Sequence, residues 1–179
     1  AVPPLDLAEP RFKAFGGFES KTSDGGLVGW TSSDTGTVTV VDLVDGNGVA
    51  SLSTGSPASI AQTISTPDSG FEIIFDYQFL TTTGELSVLL DGVELTNIAA
   101  PDQLSSAFES FILTVTDPSW FNLDGVELKF ELNGSSVSQI YLDDISASAI
   151  QPVPVPPMIW VFAAMAGMLL RSHKLNGSS

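Results

Sequence analysis

Between Phe15 and Ala149, apolar and polar positions alternate in short runs of period two. That period marks strands that bury one face and wet the other. The run FEIIFDYQF is the clearest: Phe71, Ile73, Phe75, Tyr77 and Phe79 share one face, and Glu72, Asp76 and Gln78 lie on the other. This places Tyr77 in the core. ELSVLLDGVELTN predicts a hairpin, because Asp91-Gly92 supplies a two-residue turn and Gly tolerates the positive φ that primed turns need. GVELKFELNG sets Val126, Leu128, Phe130 and Leu132 against Glu127, Lys129 and Glu131. TVTVVDLV, VASLS, SIAQTIS, FESFILTVT and QIYLDDISAS add further strands. Eight or nine short strands at regular spacing predict an all-β fold, an antiparallel β-sandwich of jelly-roll type. No helical period appears before residue 158, and no internal repeat.

The pattern changes at both ends. Residues 1–14 form a Pro-containing extension, 15–149 the sandwich, and 150–157 a stiff Pro-rich linker. Residues 158–170, MIWVFAAMAGMLL, predict a short apolar C-terminal helix, followed by a polar, basic tail over 171–179. Thirteen residues make a helix of about 20 Å, short of the ~30 Å hydrocarbon core. Arg171 and Lys174 would hold that end in the cytoplasm. Ala163 and Gly167, four apart, also suit close helix–helix contact, so burial inside an assembly is the rival reading.

Composition narrows the function. Lys and Arg total 6 against 21 Asp and Glu, a net charge of −15. Such a surface repels a phosphate backbone, and nucleic-acid binding is excluded. There is no cysteine, hence no disulfide. The single histidine, His173, lies beyond the apolar segment, which excludes a Ser-His-Asp triad or a His-ligated zinc in the sandwich. No catalytic role is expected. The chain starts at Ala1, which fits removal of an export signal.

The order Val153, Pro154, Val155, Pro156, then Trp160, Val161 and Phe162, then Arg171 and Lys174 resembles the PEP-CTERM sorting signal, in its Val-Pro-x-Pro variant. The resemblance covers about the last 28 residues and lacks the Glu between the prolines. It implies an exported protein, a membrane stage and recognition by an exosortase-type enzyme.

FGGFES and GLVGWTSS near the start, and SQIYLDDISAS at the end, resemble the first and last strands of galactose-binding-like jelly rolls, the architecture of many carbohydrate-binding modules. The resemblance implies a structural Ca²⁺ with Glu19 and Asp143 as ligands and Asp144 a weaker one. Ca²⁺ takes hard oxygens of this kind. The competing reading has Glu19 capping a turn and both Asp facing solvent. Trp30 is expected in the core. Trp120 and Phe121, in the turn TDPSWFNLDG, either stack on a sugar ring or plug one end of the sandwich.

Two functions follow. One is a cell-surface or extracellular-matrix structural protein that assembles with itself through residues 1–14 and 158–170. The other is a module that holds polysaccharide at the cell surface.

Overall fold

The computed structural model describes residues 27–33, 38–43, 47–54 and 57–150. These form ten strands: β1 (Thr31–Ser32), β2 (Val38–Asp42), β3 (Gly48–Ser53), β4 (Ala58–Ile64), β5 (Phe71–Phe79), β6 (Glu85–Leu90), β7 (Val93–Ala99), β8 (Glu109–Val115), β9 (Val126–Asn133) and β10 (Gln139–Ala149). They build two five-stranded antiparallel sheets, β1-β4-β9-β6-β7 and β2-β3-β10-β5-β8. The expected sandwich is present, with one strand more than the sequence pattern gives. That strand is β1, whose two residues are too few to show a period. The segments 1–14 and 158–170 lie outside the described residues.

Alternation becomes packing in β5 and β9. Phe71, Ile73 and Phe75 are fully buried, as are Leu128, Phe130 and Leu132. The Phe75 and Phe130 rings meet edge to face across the two sheets, with centroids 5.0 Å apart. Full burial of such side chains stabilises the fold by about 1.5–3 kcal/mol each. Trp30 is half-buried and sets its edge against Phe130 at 6.2 Å. The β6–β7 turn has positive φ at Asp91 (49°) and Gly92 (78°), as a primed two-residue turn requires.

A bulge interrupts β10. Asp143 pairs with Asp76 and Ser146 with Ile74, so Asp144 and Ile145 together oppose Phe75. Asp144 absorbs the extra residue at φ 46°. Inward parity therefore changes from Ile140 and Leu142 before the bulge to Ile145 and Ala147 after it, all buried.

Loops close both ends. At one, Thr66 donates its N–H to Leu123 O (2.8 Å) and its hydroxyl accepts from Leu123 N (2.9 Å). Ile150 N donates to Gly70 O at this same end. At the other, Gly134 passes so close to Ser138 and Gly84 that a Cβ would stand 2.9 Å from Gly84 Cα.

Candidate functional site

Tyr141 lies between Ile140 and Leu142, both fully buried, so it faces outward from the sheet. Register places it between Ser51 of β3 and Gln78 of β5. Tyr141 and Gln78 are half-buried, and Ser51 is buried. Gln139 Nε2 donates to Ser51 Oγ (3.0 Å), and Gln78 Nε2 donates to Ser105 O (3.0 Å) in the β7–β8 loop. One row on, Ser110 Oγ donates to Asp76 Oδ1. An aromatic face flanked by planar amide and carboxylate groups suits a polyol, which has apolar ring faces and an equator of hydroxyls.

Beside this strip, Tyr77, Phe79, Ala99, Pro101 and Glu109 line a cleft of ≈ 60 Å³ under the β7–β8 loop. Tyr77 shares the inward parity of β5. However, β7 and β8 are the last strands of their sheets, and the ring reaches their open side. Its hydroxyl donates to the exposed Glu109 Oε2 at 3.0 Å. Burial, then the Glu109 hydrogen bond and charge, push the Tyr77 hydroxyl from 10.0 up to about 12. Tyr77 is thus a half-buried cleft wall rather than the core residue its parity predicts. The cleft has room for a few waters and not for a whole sugar ring.

Asp143 and Asp144 part company. Asp143 is buried at 4% exposure and Asp144 is exposed. Asp143 Oδ2 accepts from Asn47 Nδ2 (2.6 Å) and Oδ1 from Asp144 N (2.9 Å). Among the described residues no three His, Cys, Asp or Glu side chains gather. A Ca²⁺ would take Asp143 from this set and most of its oxygens from elsewhere. Glu19 lies outside the described residues.

Trp120 and Phe121 sit on a single 3-10 turn, Pro118–Trp120, capped by Asp117, whose Oδ1 accepts from Ser119 N at 2.9 Å. That bond holds the Asp117 carboxyl below its usual range. Both aromatics are half-buried and pack against the core. They lie at the Phe71–Val115 end of the sheet, opposite the Tyr77–Glu109 end. Val153, Pro154, Pro156, Trp160, Ala163, Gly167, Arg171 and Lys174 lie outside the described residues.

The outer face of the other sheet carries a bonded polar network. Lys129 pairs with Glu131, which also accepts from Asn133 Nδ2. The Lys129 bond lowers the Glu131 carboxyl. Ser87 Oγ donates to Glu94 Oε2 at 2.8 Å. These groups satisfy one another, and no aromatic side chain stands among them.

The period of β5 puts Gln78 on the outer face, but nothing in the sequence pattern marks Tyr141, Gln78 or Glu109 as one site. Parity in QIYL was the available signal, since Tyr141 alternates with two aliphatics and must face out.

The sequence matches no protein-family model and no curated protein. The fold matches solved structures. A family 61 carbohydrate-binding module in complex with β-1,4-galactotriose aligns with TM-score 0.55 and 16% identity, over 75% of this chain and 94% of that one. The family 22 xylan-binding domain of a Paenibacillus barcinonensis protein, Xyn10C, aligns with TM-score 0.51 and 11% identity, over 82% and 100%. The K1 adhesin domain of Lys-gingipain from Porphyromonas gingivalis aligns with TM-score 0.55 and 11% identity, over 78% and 99%. The chain has the sandwich fold of these modules.

Proposed function

We propose that the sandwich is a non-catalytic carbohydrate-binding domain of an exported protein, and that a polysaccharide lies along Tyr141 and Gln78 toward the Tyr77–Glu109 cleft. The observation that carries this reading is the outward Tyr141 paired across strands with Gln78. Support comes from the fold shared with modules described as bound to galactotriose or as xylan-binding. The polymer is neutral in this reading. Asp76 and Glu109 border the strip, and Lys129, the sole Lys or Arg among the described residues, sits on the other sheet. A uronate chain would meet like charge without compensation.

The test is affinity electrophoresis and calorimetry with β-1,4-galactan, xylan and a polyuronate. Binding to a neutral polymer, weakened at least about tenfold by Tyr141→Ala and unchanged by Trp120→Ala, is the expected result. Loss through Trp120→Ala alone would move the site to the opposite end of the sandwich. No binding to any glycan would sink the reading.

In the same reading the C-terminal segment is the sorting address. It takes the protein through a membrane stage to the cell surface, with an exosortase-type enzyme as its partner. The structural Ca²⁺ of this reading sits on Asp143, whose Oδ2 also accepts from Asn47. Self-assembly through residues 1–14 and 158–170 is the rival role, and those segments lie outside the described residues.

A further inference from the structure

The described sheets have four edge strands, and three carry features that discourage further pairing. β1 has two residues, β2 ends on the exposed Asp42, and β7 carries the exposed Glu94 beside a register shift. Short length, edge charge and bulges all act against edge-to-edge contact. β8 differs. It runs for seven residues, ESFILTV, without Pro or Gly, and its one charge is at its first position. Its register against β5 is unbroken. At its centre Ile112 stands 59% exposed, directly paired with the half-buried Ile74. An aliphatic row so placed loses hydration cost when covered.

The strand is also complementary to itself. When two copies of β8 run antiparallel about a two-fold axis at Ile112, Ile112 meets Ile112. Phe111 then meets Leu113 on the inward side, Ser110 meets Thr114 on the outward side, and Glu109 meets Val115 at the ends. The polar pair and the apolar pairs each match. The two Glu109 carboxylates fall six residues apart along the strands, about 20 Å at ~3.3 Å per residue. That exceeds the ~8–10 Å Debye length in physiological salt. A chain of net charge −15 resists most self-contacts. Within β8 the one charge stays at the periphery of the contact, and Asp117 flanks it two residues beyond Val115.

We infer that β8 is an interface between two copies of this chain, joined by isologous antiparallel pairing centred on Ile112. The partner is a second copy because the five central residues of β8 fit their own reverse, apolar against apolar and polar against polar, and registers that draw the two Glu109 carboxylates together are disfavoured by charge. Pairing joins the two outer faces into one continuous ten-stranded sheet.

The native chain has no cysteine, so a single introduced thiol reports its own neighbour. Directly opposed residues in an antiparallel pair have Cα atoms about 4.5–5.5 Å apart, within the ~4.4–6.8 Å that a disulfide spans. Full-length Ile112→Cys, mildly oxidised, is expected to form covalent dimer at least tenfold faster than Thr39→Cys on the opposite edge. Adding Thr114→Lys to Ile112→Cys should slow the crosslink to the Thr39→Cys rate. Both sites are exposed, and circular dichroism checks that each variant keeps its strands. A mixture of Ser110→Cys and Thr114→Cys chains should give mixed dimers in preference to like pairs. Equal crosslinking at 112 and 39 overturns the interface, and like pairs at 110 or 114 overturn the register.

Discussion

Phe75 of β5 and Phe130 of β9 meet edge to face across the sandwich, and neither ring touches solvent. Phe111 joins the cluster at 5.4 Å from Phe75. Phe130→Ala removes a ring from the only direct aromatic bridge between β5 and β9 among the described residues. The expected loss is about 3–5 kcal/mol in urea unfolding, with the midpoint moved and the slope nearly kept. A cost under about 1 kcal/mol would mean that the sheets collapse into the gap or are not packed this way.

Tyr77 and Tyr141 are the two tyrosines of the chain. Tyr141→Phe therefore leaves Tyr77 as the one phenol whose ionisation is read at 295 nm. Its hydroxyl should ionise near 12. Glu109→Gln removes the charge that faces it and should lower that value part of the way to 10, because burial is the larger cause. The linkage sign follows. The folded state holds the phenol proton more tightly than the unfolded chain does. The stabilisation is complete below pH 10 and is lost as pH rises from 10 toward about 12. Native Tyr77 titrating at 10 would place it in free solvent.

Asp143 lies buried beneath Asn47. If Ca²⁺ sits on its carboxylate, saturating calcium raises the melting temperature over that in EDTA by roughly 5–10 °C, as a ligand at 100 times its dissociation constant adds about 2.7 kcal/mol. Asp143→Asn should erase that increment, and Asp144→Asn should leave it whole because Asp144 points to solvent. Identical melting in calcium and EDTA would leave Asp143 as a hydrogen-bond acceptor and no more.

The sandwich was legible because strands such as β5 and β9 alternate buried and wetted positions. β9 begins and ends within a residue of the GVELKFELNG pattern, and Asp91-Gly92 makes the turn that its chemistry requires. The site was less legible, for three physical reasons. Parity assigns a residue to a face but not to an edge, so Tyr77 reads as core although its strand pairs with an edge strand. Two consecutive Asp carry no period, and the bulge that buries one and exposes the other leaves no mark on the apolar pattern. The cleft depends on the β7–β8 loop folding back through Gln78 and Ser105, a long-range contact with a backbone carbonyl that any residue could supply. Trp120 suggests a sugar-stacking site by its residue type alone. In the structure it packs against the core, where an aromatic in a loop often belongs.

Ile150 is tied by its backbone to Gly70, at the end of the sandwich that also holds Trp120. Tyr77 and Glu109 lie at the far end of the same strands. Whatever follows residue 150 therefore departs from the end opposite the cleft. If the segment beyond residue 150 moors the chain, as the proposed sorting address would, the Tyr77 cleft stands at the end of the sandwich far from the mooring.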